Sequence, residues 1–435
     1  MRLKRKIFKE LSDWKQNKHN KALLIKGARQ VGKTTSVREF ARENYENFVE
    51  INFEQMPLAK QAFEGNLDAR TILVNLSVMG FGPFVPEKTL IFFDEIQSCP
   101  QARTAIKFLV EDGRYDYVES GSLLGINYKD VSSYPVGFEH EISMFPLDFE
   151  EYLWACGVGD DVLQVVRDCY ENKQAVPSFL HEQLLSRYRQ FLIVGGMPEV
   201  VVTFLENEDF KKTIEIQKDI LNGYRNDISK YAGKDKLLVK SVFDAIPGQL
   251  SKQDKRFVLS SVEEKASMRK YGAPTQWLVD AGMAYYSFNV GAFELPFPLY
   301  ENIRLFKLFF VDTGLMCAMM LGNIQALVMA GDIDVNEGAL TENFVASELV
   351  KHGISLNYYD RKSKHELDFV FPENGKICIL EVKSGKQFKK HSPLDMALSL
   401  FPDKISRSIV LSANNLEIED EVCYFPIYMA FLLSL

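Results

Sequence analysis

The stretch GARQVGKTT brings together residue types that can hold a polyphosphate. Gly27 and Gly32 bracket Ala28, Arg29, Gln30 and Val31, and Lys33, Thr34 and Thr35 follow directly. Consecutive N–H groups in such a loop, running into a helix N-terminus, make an anion cradle. Lys33 would reach the β- and γ-phosphates of ATP, and the Thr34 hydroxyl would ligate Mg²⁺. The spacing is that of the Walker A pattern, set between an apolar strand (Ala22–Ile25) and a helix, as the pattern requires. The apolar run Leu90–Phe93 then ends in Asp94-Glu95, a Walker B pattern. Asp94 is placed to hold Mg²⁺ through water, and Glu95 to act as base toward the attacking water. The next strand, in YDYVESGSLLG, offers Ser120 or Ser122 as a polar group on the γ-phosphate side, with a simple helix-cap or loop serine as the other reading.

A second set of reactive types lies in HELDFVFPENGKICILEVKSGK, residues 365–386. It reads as a β-hairpin, Glu366–Phe371 and Ile377–Lys383, around a Pro-Glu-Asn-Gly turn. One face of the second strand carries Ile377, Ile379, Glu381 and Lys383. A one-residue slip turns a strand over, so Asp368 joins that face only in certain registers. If Phe371 sits opposite Cys378, then Asp368 lies opposite Glu381 with Lys383 one step beyond. Two carboxylates and an ammonium on one patch suit a Mg²⁺ ion, which takes few protein ligands and polarises a phosphate while Lys383 steadies developing charge. The structural alternative is a Glu381–Lys383 ion pair at a partly exposed sheet edge, worth ~0–1 kcal/mol.

Positioning these side chains requires particular elements. A strand candidate in NFVEINFEQ between the two phosphate-site motifs, with Glu beside Asp in the second, resembles the additional-strand, catalytic-glutamate class of P-loop ATPases. The order GARQVGKTT, LIFFDEIQ, ESGSLLG, MFPLDFEEYL, FLIVGGMPEVV, KLFFVDTGL and GALTENFVASELV is similar to that of bacterial and archaeal AAA-type ATPases carrying a C-terminal domain of unknown function numbered 4143. Many of those relatives place an arginine shortly before the PL-F-E stretch. This chain has Phe138 near that place, and Arg225 is the nearest substitute, with a surface arginine on a helix as the other reading. The C-terminal order of helix, three strands, helix and strand resembles restriction-endonuclease-like folds. Their motif of a helix Glu, an Asp on the second strand and Glu-x-Lys on the third falls on Glu342, Asp368 and Glu381-Val382-Lys383. The resemblance thus implies a metal site of Glu342, Asp368 and Glu381, with Asp368, Glu381 and Lys383 carrying the chemistry.

The fold class expected is α/β, in four parts: a P-loop ATPase core (1–146), a helical lid (147–232), a winged-helix-like module (233–304) and a restriction-endonuclease-like domain (305–435). In the third part APTQWLVDAG would be the second helix of a helix-turn-helix, capped by Gly282. It offers Gln276, Trp277 and Asp280 toward a groove, with Lys265, Arg269 and Lys270 just upstream, so protein packing competes with DNA contact. The 435 residues carry a formal net charge of −8, which gives no whole-molecule pull toward nucleic acid. Six scattered cysteines without a CxxC pair argue for a reducing compartment and against a zinc ribbon. The basic start runs into an amphipathic pattern and not a signal peptide, and no apolar run reaches spanning length, so a cytoplasmic location without membrane contact is expected. Two functions remain open: an ATPase acting on nucleic acid through a nuclease-like domain that cleaves or binds DNA, or an ATP-driven switch that grips a protein partner with that domain inactive. A homo-oligomer is compatible with either.

Overall fold

The structure is a computed structural model that describes residues 1–17, 21–122, 135–252, 254–264, 267–321, 337–360, 366–385 and 387–433. The chain divides into two compact units, one of residues 5–145 with 280–282 and one of residues 1–4, 146–279 and 283–435. Among the described residues no helix is long and apolar enough to cross a membrane.

The first unit is built on a sheet of β1 (Ala22–Gly27), β2 (Asn47–Asn52), β3 (Thr89–Asp94), β4 (Asp116–Ser122) and β5 (Glu139–Ser143). All pairs are parallel and the order is β2-β3-β4-β1-β5. β3 is buried along its whole length, as its unbroken apolar run requires of a central parallel strand. The helices Ala69–Val78 and Pro100–Asp112 cover one face, packing Ile72, Leu76, Ile106 and Leu109 against Ile91, Phe93 and Tyr117. The strand that separates the two motif strands within the sheet is β4, while β2 lies at the edge beyond β3. Parallel strands place the C-terminal ends of β1, β3 and β4 side by side, where sites of open α/β sheets form.

The second unit carries an eight-stranded sheet: β6 (Ala284–Val290), β7 (Glu301–Phe310), β8 (Asn357–Asp360), β9 (Glu366–Glu373), β10 (Lys376–Lys383), β11 (Ile405–Ser412), β12 (Glu417–Glu419) and β13 (Val422–Pro426). Its order is β12-β13-β11-β10-β9-β8-β6-β7. Glu337–Lys351 and Ser392–Leu400 are the helices of the expected helix, three strands, helix, strand sequence. The expected helix-turn-helix segment is the helix Met268–Asp280, followed by Gly282 at φ 69°. The strand after it, β6, pairs with β8 and so continues the C-terminal sheet. The boundary expected at 304/305 therefore falls inside β7, and residues 146–279 and 283–435 belong to one unit with no break at 232/233. The division after Phe145 is one residue from the boundary expected at 146/147.

The hairpin register follows from its turn. Asn374 at φ 51° and Gly375 at φ 75° form the two-residue connection that Asn-Gly favours. It pairs Glu373 with Lys376, Phe371 with Cys378 and Phe369 with Leu380. The ladder ends at that last pair, and just beyond it the Asp368 carboxylate accepts from the Val382 N–H.

Candidate functional site

In the first unit, β1 delivers the chain into the loop at Gly27, where a Cβ would come within 2.2 Å of the Met144 carbonyl oxygen. Ala28 and Val31 turn inward, while Arg29, Gln30 and Thr35 are exposed. Gln30 (φ 67°) and Gly32 (φ 97°) take left-handed conformations that swing the loop into the helix Lys33–Asn44. No side chain caps that helix, so its first-turn N–H groups remain available to an anion. The Lys33 ammonium is buried and donates to the carbonyls of Gly27 (3.0 Å) and Ala28 (2.8 Å), the edge of its own cradle. Burial brings Lys33 down to about 8, against the opposing pull of Glu95 and Asp94.

Asp94, at the end of β3, is the hub. Its carboxylate accepts from Thr34 Oγ1 (3.0 Å), Asn52 Nδ2 (2.9 Å), the Ser120 hydroxyl and the Glu95 N–H (3.2 Å). Four donors, three of them from other elements, thus converge on one carboxylate. Of the two serines offered by the sequence, Ser120 is the one bonded to Asp94; Ser122 ends β4 with its side chain outside the described residues. Glu95 sits in a left-handed conformation (φ 55°) and accepts from the Gln97 amide. Burial raises the Glu95 carboxyl above its ordinary value, while the Gln97 bond acts the other way. The arrangement fits Mg²⁺, since a hydroxyl from the loop and a carboxylate from β3 already share one point. Asn52 and Gln97 were not singled out from the sequence. Asn52 closes its strand beside Asp94 in the parallel register, a signal that a polar residue at the end of an apolar strand does carry.

In the second unit, the Asp368 carboxylate accepts from the Val382 N–H at 2.9 Å, and Lys383 lies 2.8 Å from Glu381. Burial first, and then the Asp368 charge, push the Glu381 carboxyl up to about 8. One Glu381 oxygen, Oε1, is buried without a hydrogen-bond partner. An unpartnered carboxylate oxygen beside a second carboxylate fits a divalent cation.

Glu342 is held elsewhere. Its Oε1 is 3.0 Å from the Lys307 ammonium and its Oε2 is bonded to Lys255. Lys307, fully buried on β7, also bridges to Glu366 at 2.6 Å and lies 5.0 Å from the centre of the Tyr358 ring. Burial disfavours the Glu342 charge, but the two lysines outweigh it and hold the carboxyl below its ordinary range. Among the described residues no group of three or more His, Cys, Asp or Glu side chains could hold a metal. The expected set of Glu342, Asp368 and Glu381 is therefore not assembled: Asp368, Glu381 and Lys383 come together, and Glu342 is drawn to two lysines instead. Arg225 is bonded to Asp244 at 2.8 Å, within the second unit.

Three family models match parts of the chain. Residues 19–153 match an AAA domain, residues 185–326 a domain of unknown function (DUF8612), and residues 337–429 a domain of unknown function (DUF4143). An uncharacterized protein of Haemophilus influenzae is 24% identical over 374 residues, covering 82% of this chain and 81% of that one. Among solved structures, the Walker-type ATPase PABY2304 of Pyrococcus abyssi is similar with a TM-score of 0.47 and 16% identity, over 74% of this chain and 96% of that chain. The RuvB Holliday junction branch migration motor of Thermotoga maritima is similar with a TM-score of 0.29 and 14% identity, over 65% of this chain and 89% of that one.

Proposed function

We propose that this chain, which joins an AAA-type P-loop ATPase domain to a C-terminal domain of unknown function 4143, binds ATP with Mg²⁺ in the loop 27–35 and hydrolyses it. The observation that carries the reading is the convergence of Thr34, Asn52 and Ser120 on Asp94. Thr34 and Asp94 would hold Mg²⁺, which supplies charge neutralisation at the phosphates. Lys33 would exchange the carbonyls of Gly27 and Ala28 for phosphate oxygens. The N–H groups of residues 28–34 would line the cradle, and Ser120 would keep Asp94 oriented. Glu95 would take the proton of the attacking water, its burial bringing its basicity closer to neutral pH. The test is Glu95→Gln beside Lys33→Ala. Glu95→Gln should keep nucleotide affinity and lose about 10²–10⁴-fold in kcat; turnover at the wild-type rate would remove Glu95 from this role.

A second reading concerns the other unit. The hairpin end, where Asp368 accepts from the Val382 N–H and Lys383 pairs with Glu381, with one Glu381 oxygen unpartnered, supports metal-dependent action on nucleic acid, by phosphodiester cleavage or by binding DNA. Asp368 and Glu381 would hold Mg²⁺ and Lys383 would steady the phosphate charge. The rival, an ATP-driven switch gripping a protein partner, draws support from the engagement of Glu342 by two lysines and from the acidic net charge. Incubating the protein and Lys383→Ala with Mg²⁺ or Mn²⁺ and duplex, single-stranded and branched DNA separates them. Cleavage lost in Lys383→Ala selects the nuclease. Absence of both cleavage and salt-dependent binding selects the switch, because phosphate contacts release counterions and a protein grip need not.

A further inference from the structure

Arg5 stands just ahead of the helix Ile7–Asn17 and is buried despite its charge. Its Nη1 donates to the Val31 carbonyl at 3.1 Å and its Nη2 to the Phe145 carbonyl at 2.7 Å. Val31 lies inside the phosphate loop, and Phe145 follows the end of β5. The same stretch supports the start of the loop. The Met144 N–H donates to the Lys26 carbonyl at 2.7 Å, and the Met144 carbonyl is the group that leaves no room for a Cβ at Gly27. Residues 144–145 thus brace the loop directly at Gly27, and through the Arg5 guanidinium at Val31.

The helix that carries this contact is itself fixed. Ile7, Leu11 and Trp14 are buried, and the helix packs on Lys33–Asn44. Lys15, in its last turn, donates to the Asn44 carbonyl. Arg5 and Lys15 therefore hold the backbone just before the helix Lys33–Asn44 and at its last residue. A planar trans peptide points its C=O and its N–H to opposite sides. With the Val31 carbonyl turned to Arg5, the Gly32 N–H points away from Arg5. Gly32 (φ 97°) does not fix that peptide alone, because glycine accepts either sign of φ and so admits a flipped arrangement. A flip would present a carbonyl oxygen to a bound anion where an N–H is needed.

We propose that Arg5 is a positioning residue of the nucleotide site, locking the Val31–Gly32 peptide so that the Gly32 N–H faces the phosphates. This role rests on the reading of residues 27–35 as an ATP site, and it assigns the orientation of one cradle donor to a residue outside the motif. Loop N–H groups cradle the α- and β-phosphates, which ATP and ADP share. The contact therefore contributes to binding both nucleotides and leaves the chemical step alone.

Equilibrium binding of ADP and steady-state hydrolysis of ATP, both with Mg²⁺, test it on the full chain in wild type, Arg5→Met and Arg5→Lys. Lysine keeps the charge but lacks the planar fork that serves two carbonyls, so both variants should be impaired. The Kd for ADP and the KM for ATP should rise together by roughly 10–100-fold, with kcat held within about threefold. Wild-type affinity in Arg5→Met with a lowered melting temperature would make Arg5 a structural contact only and overturn its positioning role. Full affinity in Arg5→Lys would show that charge suffices and overturn the peptide lock. A fall in kcat at unchanged KM would overturn it too. A wild type that binds neither nucleotide would overturn the ATP reading itself. A measurement on the wild type alone guards against variants that do not fold: amide spectra of the protein labelled with ¹⁵N-glycine. Saturating ADP should move the Gly32 amide proton downfield, and an unmoved signal would refute the orientation assigned to this N–H.

Discussion

At the scale of single residues, Gln97 and Glu119 are the positions where the structure adds most to the motifs. Gln97 donates to Glu95, and the strand beside it is kept clear by Gly121, where a Cβ would come within 2.8 Å of the Gln97 side-chain oxygen. The amide holds a carboxylate that also lies in the field of Lys33, so Glu95 is steered toward the phosphate loop while held. Gln97→Ala should lower kcat for ATP by roughly tenfold or more with little change in nucleotide affinity, as steady-state kinetics and equilibrium binding would show; a rise in kcat would mean that the bond restrains Glu95. Glu119, on β4, is fully buried beside Glu139, which takes the Arg103 guanidinium at 2.9 Å, with Glu141 nearby. Burial and then Glu139 raise its carboxyl well above the ordinary 4.5. A carboxyl raised in the folded state gives stability that is full below its unfolded pKa and is lost as pH rises through the folded one. Glu119→Gln mimics the protonated acid at every pH. From pH 5 upward wild type should therefore lose stability relative to Glu119→Gln, by up to ~1.4 kcal/mol per pH unit. Parallel melting-temperature curves for the two proteins would contradict this.

At the scale of elements, the motifs PLDFEEY, VGGMP and FVDTG prove to be one packing junction of the second unit. Asp148 caps the helix Phe149–Ala155, and the Phe149 N–H also faces the Glu348 carboxylate at 3.3 Å. Gly196 donates to Asp312 at 2.6 Å and accepts from the Leu147 N–H at 2.7 Å. A Cβ at Gly196 would stand 2.1 Å from the Leu147 carbonyl oxygen, so backbone must move to admit it. Gly196→Ala should destabilise by ~1–3 kcal/mol or more through overpacking. Gly353→Ala, at φ 80° in open space, should cost only the left-handed strain of ~1–2 kcal/mol. Urea titrations that order the two variants the other way would refute the junction. Such motifs read in sequence as family markers; their structural meaning needs three separated segments in contact. What was legible is local: the phosphate loop, the strand ending in Asp94-Glu95, and the hairpin with its Asn374-Gly375 turn, whose register the sequence left conditional. What was not legible depends on distant pairing. Lys307 and Lys255 reach Glu342 across 35 and 87 residues, and β6 pairs with β8 far along the chain, Phe288 opposite Asn357. No spacing rule in the sequence marks a lysine that will share a carboxylate with a motif it does not belong to.

At the scale of the molecule, the chain alternates between its two units, with residues 1–4 in the second, 5–145 in the first, and 280–282 again in the first. The N-terminal ammonium lies 3.3 Å from Glu206 and Lys4 lies 2.7 Å from Asp160, both contacts within the second unit. Each unit has its own sheet and its own proposed ligand, which makes thermal unfolding of the whole chain informative. A ligand that binds only the folded form stabilises by RT ln(1 + [L]/Kd), about 2.7 kcal/mol at a hundredfold excess over Kd. Calorimetry should show two transitions. A non-hydrolysable ATP analogue with Mg²⁺ should raise the one belonging to residues 5–145, and Lys33→Ala should abolish that shift. Mn²⁺ without nucleotide should raise the other. A single transition moved by either ligand would show instead that the units unfold as one body. In that case each site would feel occupancy of the other through the shared folding equilibrium, and the two binding energies would have to be measured together.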